Sequence, residues 1–194
     1  MGADSINILA GDVGGTTTRL AAYSVEEDRL EKLCEEDFAS RAAESLEELV
    51  ARFLAARDVA CERACFGIPG PVHGRVARTT NLPWLVEAAR IEAGADIGEV
   101  FLLNDLEALA WGISELGDDD VLTLHHGEPD AVGNRAVIAA GTGLGQAGLF
   151  WDGAVHRPWA TEGGHTDFAP ISEDDDALLR FLRTELDHVS WERV

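Results

Sequence analysis

A glycine-rich turn between two apolar segments occurs twice in this sequence, and the repeat limits the folds open to the chain. In the first half, residues 6–10 and 19–25 lie on either side of the turn GDVGG. In the second half, residues 136–140 and 146–151 lie on either side of the turn GTGLG. Short apolar runs separated by glycines are typical of β-hairpins. The sequence therefore predicts two hairpins at matching places in two half-similar units.

Outside the hairpins, strand and helix patterns alternate. Residues 45–57 predict a helix, because five apolar side chains recur there at helical spacing: Leu46, Leu49, Val50, Phe53 and Leu54. Ser172 and Asp175 predict the capped start of another helix. Further strands are predicted at 30–38, 65–68, 75–79, 100–103 and 121–124, and further helices at 84–93 and from Asn104 through Ile113. This alternation predicts a mixed α/β fold with helices covering the sheet.

The charge of the chain excludes one class of partner. Among 194 residues, 36 are acidic and 15 are basic, which gives a formal net charge of −21. Proteins that bind nucleic acid need clustered basic side chains to displace counterions from phosphates, so nucleic acid is not expected as a partner. Lys32 is the single lysine of the sequence. An acidic excess with scarce lysine suggests adaptation to concentrated salt, although GC-rich coding would also favour arginine.

Compartment and thiol chemistry follow from what the sequence lacks. No apolar run approaches the roughly 18 residues of a membrane span, and the N-terminus has no signal-peptide pattern. We therefore expect a cytoplasmic protein that does not enter the membrane. Cys34, Cys61 and Cys65 have neither the even number nor the spacing of a disulfide or zinc framework, so we expect buried or inert thiols.

The glycine turns suggest an anion site. Neither turn has the spacing of a P-loop or of a Rossmann fingerprint, but a glycine hairpin can offer consecutive backbone N–H groups to an anion. Asp12 in the first turn would repel phosphate unless a cation lay between them. Mg²⁺ fits that position, because it takes one or two carboxylates together with phosphate oxygens. Taken singly, each turn is also compatible with a plain hairpin.

Asn104 and Asp105 follow a fully apolar strand and begin a helix, where α/β proteins carry reactive side chains. A carboxylate in hydrogen-bond reach of an alcohol can take its proton during phosphoryl transfer, so Asp105 is the candidate base. The alternative is that these residues only cap the helix.

Polar side chains for a polyol occur in two further segments. Glu162 and His165 lie on either side of two glycines in EGGHTDF, where helical zinc-ligand spacing is absent. Asn81 in TNLPW adds an amide near Trp84, which is either the aromatic wall of a sugar site or a core residue. Groups that donate and accept hydrogen bonds suit sugar hydroxyls.

Six motifs in order carry a resemblance that covers essentially the whole chain: GDVGGTTTRLA, TNLPW, LLNDLEALA, AAGTGLGQA, EGGHTDFAP and HVSWERV. In them the chain resembles the N-terminal part of bacterial-type glucokinases, members of the actin-like sugar kinase superfamily. The resemblance implies ATP-dependent phosphorylation of glucose at its 6-hydroxyl. It also implies a ribonuclease H-like (actin-like ATPase) α/β fold with two domains around a cleft.

The resemblance also implies roles for individual residues. Asp105 would be the catalytic base. Glucose would be bound by Asn81, Asn104, Asp105, Glu162, His165 and Glu192. The phosphates of ATP would be met by Asp12, Gly14, Gly15 and Thr16 from one hairpin and by Gly141, Thr142 and Gly143 from the other, with Asp12 directed at Mg²⁺.

Length and domain organisation follow from the same resemblance. Residues 1–115 would form the small domain with the base, and residues 116–194 the first part of the larger domain. Family members are longer and commonly form homodimers, so we expect a fragment that is weakly active or inactive alone. A kinase of another hexose or amino sugar and a non-catalytic sugar-binding module remain alternatives.

Overall fold

The computed structural model describes residues 5–27, 29–128, 131–141 and 143–194. The chain divides into two compact units, Met1–Leu109 and Ala110–Val194. The predicted mixed α/β fold is confirmed, since the chain carries strands and helices along its length.

The first unit contains a five-stranded sheet covered by helices. Its elements are β1 (Ile6–Val13), β2 (Thr17–Glu26), β3 (Arg29–Ala39), α1 (Leu46–Arg57), β4 (Arg63–Ile68), β5 (Val72–His73), β6 (Val76–Arg78), β7 (Leu85–Glu87), α2 (Ala88–Ala95) and β8 (Glu99–Asn104). The strand order is β3-β2-β1-β4-β8. The first three strands are antiparallel neighbours, whereas β1, β4 and β8 run parallel. Strands β5, β6 and β7 form a small antiparallel sheet.

Helix α1 forms as its sequence predicts. The Ser45 hydroxyl accepts a hydrogen bond from the Glu48 amide at 3.2 Å, which satisfies one N–H of the first turn. All five apolar side chains of the predicted face are buried. Among them Phe53 is fully buried and contacts Phe38 edge to face, with ring centroids 6.4 Å apart. The helix therefore joins the main core of the first unit.

The predicted helix at 84–93 is wrong in its first half. Leu85–Glu87 is strand β7, paired with β6 through Ala77 and Val86, and α2 begins only at Ala88. Pairing that buries Val86 completely outweighs the weak helical pattern of so short a segment. Trp84 is 2% exposed, so it is a core residue rather than the wall of an open site.

Helix α3 (Asp105–Gly112) leads into the second unit, which contains a three-stranded antiparallel sheet. Its further elements are β9 (Arg135–Ala140), β10 (Leu144–Trp151), β11 (His156–Thr161) and α4 (Glu173–Leu182). Strand β10 lies between β9 and β11. The predicted second hairpin is therefore present as β9 and β10.

Two sequence predictions for the second unit have different outcomes. The Ser172 cap of α4 is confirmed, because its hydroxyl accepts from the Asp175 amide at 3.1 Å. The predicted strand at 121–124 is wrong, because no regular structure forms there. Leu122 and Leu124 in this segment are 83% and 89% exposed, so its apolar side chains have no sheet to pack on.

The cysteines of the first unit are free thiols. Burial raises the pKa of the Cys61 thiol to about 11 and also raises that of Cys65. Both thiols are therefore protonated at neutral pH, as expected for buried groups.

Among the residues described, no helix combines the length and the apolar character needed to cross a membrane.

Candidate active site

The carboxyl ends of three parallel strands bring Asp12 and Asp105 to one edge of the sheet in the first unit. In the register, Asp12 pairs with Gly67 of β4, and Gly67 pairs with Leu103 of β8. Asp12 is therefore two strands from the end of β8, roughly 10 Å at the usual strand spacing. This edge is where open α/β sheets bind their ligands.

Gly67, which belongs to no motif named above, allows α3 to pack closely against β4 at this edge. A Cβ atom at position 67 would lie 3.3 Å from the Ala108 Cβ and 3.5 Å from the Asp105 Cα. Helix α3 therefore begins directly against the interior strand β4. The only sequence signal was a glycine inside a short apolar strand, which often marks a close approach.

The first hairpin presents backbone amides at its tip. The Gly14 amide donates to the Thr17 carbonyl at 2.9 Å and closes the turn. In the part of the chain that the structure describes, the amides of Gly15 and Thr16 donate to no protein group. Unpaired N–H groups in a turn are the arrangement that binds anions.

Asp12 is exposed and lies opposite Arg19 in the β1–β2 pairing. The Arg19 guanidinium instead donates to both carboxylate oxygens of Asp37, at 2.7 and 2.9 Å. This hydrogen-bonded ion pair holds the pKa of Asp37 below its usual value. The guanidinium of Arg19, a residue of β2, is thus bound to Asp37 of β3.

Asn104 connects the end of β8 to the start of α3 and to the loop that follows β4. Its Oδ1 accepts from the amides of Leu106 and Glu107 at 3.1 and 3.3 Å, so this side chain caps the start of α3. Its Nδ2 donates to the Gly70 carbonyl at 3.2 Å. An amide nitrogen carries two hydrogens, so the capping role leaves a donor for a ligand.

Asp105 begins α3 and is partly buried. One carboxylate oxygen accepts from the Leu106 amide at 2.9 Å. Because the side chain lies where β8 becomes α3, the strand end and the helix start both fix its direction.

Asn81 is exposed and contacts the first hairpin within the same unit. A Cβ atom at Gly15 would lie 2.8 Å from the Asn81 Cβ. The absence of a side chain at position 15 therefore lets the TNLPW segment approach the hairpin tip.

The second unit brings the other predicted residues together. The Gly141 amide donates to the Gly143 carbonyl at 2.9 Å, and a Cβ atom at Gly143 would lie 2.6 Å from Glu192 Oε2. Glycine at position 143 thus admits the Glu192 carboxylate, whose side chain is only 14% exposed. Thr142 of the same turn lies outside the described residues.

His165 lies between two carboxylates. Its Nδ1 is 3.3 Å from Glu192 Oε1, and its Nε2 is 3.6 Å from Glu162 Oε2. Gly163 and Gly164 let this turn pack directly on β10, because a Cβ atom at either position would overlap Gln146 or Leu144. The group offers acceptors and an imidazole to one polar ligand, the pattern expected for a polyol.

Two backbone hydrogen bonds join the turn that carries His165 to the segment that carries Glu192. The Trp191 amide donates to the Thr166 carbonyl at 3.1 Å, and the Phe168 amide donates to the Val189 carbonyl at 2.9 Å. The rings of Phe168 and Trp191 meet edge to face, with centroids 5.0 Å apart. Backbone and aromatic contacts therefore fix Glu192 beside His165.

No cluster of three or more His, Cys, Asp or Glu side chains suited to a metal occurs among the described residues. A single carboxylate such as Asp12 is still sufficient for Mg²⁺ that keeps waters and phosphate oxygens as its other ligands.

Comparison with known proteins identifies the family. The sequence model of the Glucokinase family matches residues 9–194. A glucokinase of Nostoc sp. is 38% identical over 192 residues, covering 96% of this chain and 56% of the relative. A glucokinase of Synechocystis sp. is 38% identical over 208 residues, covering 100% of this chain and 59% of the relative.

Solved structures show the same fold. A glucokinase from an Antarctic psychrotroph superposes with a TM-score of 0.81 at 28% identity, covering 97% of this chain and 60% of that one. A glucokinase from Balamuthia mandrillaris, solved in complex with glucose, superposes with a TM-score of 0.70 at 22% identity, covering 97% and 59%. The second likeness shows the fold alone.

This chain spans little more than half the length of the curated relatives it matches, 56% and 59% for the two cyanobacterial proteins. Within that span the family match includes both hairpins, the Asn104–Asp105 pair and the turn that carries Glu162 and His165. The resemblance in six motifs is confirmed, and so is the actin-like ATPase fold that it implied. The chain belongs to the glucokinase family.

Proposed function

We propose that this chain carries the catalytic base and much of the sugar site of an ATP-dependent kinase that converts glucose to glucose 6-phosphate. The observation that carries the proposal is the register across β1, β4 and β8, which brings the Asp12 hairpin and Asp105 to one sheet edge. Phosphoryl transfer needs a phosphate site and a base close together. We propose a cytoplasmic homodimer, with the small domain at 1–115 and the larger one beginning at 116.

Asp105 is proposed as the base. Its carboxylate would accept the proton of the 6-hydroxyl as the oxygen attacks the γ-phosphorus and the bond to ADP breaks. The fixed start of α3 supports this role, because a positioned base loses little freedom when the substrate binds.

The remaining hydroxyls are proposed to bind polar groups from both units. In the first unit these are Asn81 and the second Nδ2 hydrogen of Asn104. In the second unit they are Glu162, His165 and Glu192. The His165 ring lies 3.6 Å from the Glu162 carboxylate and 3.3 Å from the Glu192 carboxylate, which suits a cluster around adjacent hydroxyls.

The phosphates of ATP are proposed to bind the first hairpin at Gly14, Gly15 and Thr16, where the amides of Gly15 and Thr16 are unpaired among the described residues, and the second hairpin at Gly141, Thr142 and Gly143. Asp12 would hold Mg²⁺ through one carboxylate and waters, and the exposure of that carboxylate beside unpaired amides suits the role. The ion supplies charge neutralisation on the phosphate oxygens.

Replacing the base tests the proposal. Asp105→Asn keeps the size of the side chain and an acceptor for the Leu106 amide but removes the base, so kcat should fall by at least about 100-fold. ADP release in a coupled assay measures the rate, and calorimetry measures glucose affinity, which should change little. Asp118→Asn, in an exposed turn, is the matched control.

Three results would contradict the proposal. Retention of most of the rate by Asp105→Asn would remove Asp105 as the base. Turnover of mannose, glucosamine or an N-acetyl sugar far above glucose would change the substrate. Glucose binding without ATP binding by the unmodified chain would indicate a sugar-binding module.

A further inference from the structure

We infer that Thr18 and Ser40 are positioning residues that aim the Gly15 amide of the first hairpin at the phosphate site. The inference rests on the proposed function for the identity of the anion, but the geometry can be tested without any ligand. Ser40 lies outside the six motifs, and Thr18 lies within the first of them but has no role assigned by it.

Ser40 holds the hairpin tip through three contacts. It begins a short 3-10 turn, Ser40–Ala42, that follows β3. Its amide donates to the Thr16 carbonyl at 2.9 Å. Its hydroxyl donates to the Gly14 carbonyl at 2.7 Å and lies 2.9 Å from the Thr18 hydroxyl. Two carbonyls of the tip, those of Gly14 and Thr16, are therefore bound to one residue of a neighbouring segment.

The direction of the hydroxyl chain follows from the number of hydrogens. Each hydroxyl has one hydrogen to donate. Because Ser40 uses its hydrogen on the Gly14 carbonyl, Thr18 has to donate to Ser40. The order is thus Thr18 to Ser40 to Gly14, and each bond in such a chain strengthens the next.

Burial gives this chain its rigidity. Thr18 and Ser40 are both 0% exposed. Water therefore does not compete for these hydroxyls, and a buried hydroxyl without a partner is costly. The hairpin tip has few other constraints on its conformation, since two of its residues are glycines.

Peptide planarity transmits the effect to the site. The Gly14 carbonyl and the Gly15 amide belong to one trans peptide unit, so they point in opposite directions. With the carbonyl held towards Ser40, the Gly15 N–H is directed away from it, and this amide has no acceptor among the described residues. Ser40 therefore fixes the direction of a donor that it does not contact.

Amide hydrogen exchange tests the geometry in the protein without ligand. Ser40→Ala should speed exchange of the Gly14 amide and of the residue-40 amide by about three- to tenfold, the effect of one lost hydrogen bond. The Glu62 and Gly98 amides, which donate to Asn7 and Glu62, lie at the opposite end of the sheet and serve as references. They should exchange at the wild-type rate.

A matched pair at position 18 separates the hydroxyl from packing. Thr18→Val keeps the branched shape and removes the donor, whereas Thr18→Ser keeps the donor and removes a methyl group. Exchange at Gly14 should rise in the order wild type, Thr18→Ser, Thr18→Val, Ser40→Ala. Thr79→Val removes a buried hydroxyl bound to Leu82 and Trp84 and should leave Gly14 unchanged.

Steady-state kinetics then test the consequence for phosphate binding. Thr18→Val and Ser40→Ala should raise KM for ATP several-fold and leave KM for glucose unchanged, and Thr18→Ser should restore the ATP value. Unchanged Gly14 exchange in both hydroxyl-free variants, or equal effects of Thr18→Ser and Thr18→Val, would overturn the inference. Failure of the full protein that contains this chain to turn over ATP would instead overturn the proposed function, and the exchange results would still decide the geometry.

Discussion

At the scale of single residues, Glu92 shows how an open sheet edge is closed by side chains. Strand β8 is the last strand in the order of the five-stranded sheet, so among the described residues no strand lies against its outer backbone groups. The Glu92 carboxylate accepts from the Val100 amide at 2.9 Å and pairs with Arg75, whose Nη2 lies 3.4 Å from the Val100 carbonyl. An ion pair thus occupies an edge that could otherwise pair with another chain.

The charge of Glu92 makes this contact pH-dependent. The Val100 N–H, and to a lesser extent Arg75, hold the pKa of Glu92 below its usual value, against desolvation that raises it. A lowered pKa means that the contribution to stability is complete above the unfolded-state pKa of about 4.3. It is lost as pH falls through the lower pKa of the folded state.

Glu92→Gln should therefore lower the midpoint of thermal unfolding at pH 7, and the difference from wild type should shrink as pH falls below about 4.3. Thermal melts at several pH values measure this. Glu99→Gln is the control, because Glu99 lies 3.6 Å from Arg63 and both side chains are at least half exposed. A Glu92→Gln difference that is constant with pH would contradict the argument.

At the scale of elements, the secondary structure of long periodic segments could be predicted from the sequence, whereas that of short segments interrupted by proline could not. Helix α1 was identified from its apolar face and its serine cap, because a twelve-residue helix repeats its pattern several times. Strand β11 was missed because Pro158 interrupts it. Its edge position in the order β11-β10-β9 explains how a proline is tolerated there.

Replacing two glycines inside regular elements by alanine should change the free energy of unfolding in opposite directions. At Gly11 in β1, a Cβ atom would overlap the Phe66 ring, so Gly11→Ala should destabilise the protein by about 1–3 kcal/mol. At Gly94 in α2, a Cβ atom would meet nothing within 4 Å. Gly94→Ala should therefore stabilise it by about 0.5–1 kcal/mol. Urea unfolding measures both, and equal effects would contradict the packing argument.

At the scale of the whole molecule, charge is the dominant feature. In the ion pairs of Arg19, Arg63, Arg75 and Arg157 the arginine side chain is at least 55% exposed, so each pair contributes little. The remaining acidic excess of −21 repels itself.

Raising KCl from 0.01 to about 1 M shortens the screening length from about 30 to 3 Å, so the unfolding midpoint should rise. Thermal melts in KCl measure this. Ammonium sulfate is unsuitable as the test salt, because it strengthens apolar burial in any protein. No gain in KCl would remove the hypothesis of adaptation to salt.

The residues of the candidate site could be predicted from the sequence, but their arrangement in space could not. Asp12 and Asp105 were singled out because glycines or an apolar strand adjoin them, but their shared sheet edge depends on the order β1-β4-β8. That order arises from pairing between distant segments. Ser40 was missed for the same reason, since its contacts lie 22 and 26 residues away in sequence.

Because Gly15 lies so close to Asn81, the residues accepted at one of these positions depend on the residue at the other. The Cβ atom of any residue other than glycine at position 15 would lie only 2.8 Å from the Asn81 Cβ. Substitutions at residues in such contact are not additive. A directed-evolution library that varies residue 81 therefore has to keep glycine at position 15, and one that varies both positions will be rich in incompatible pairs.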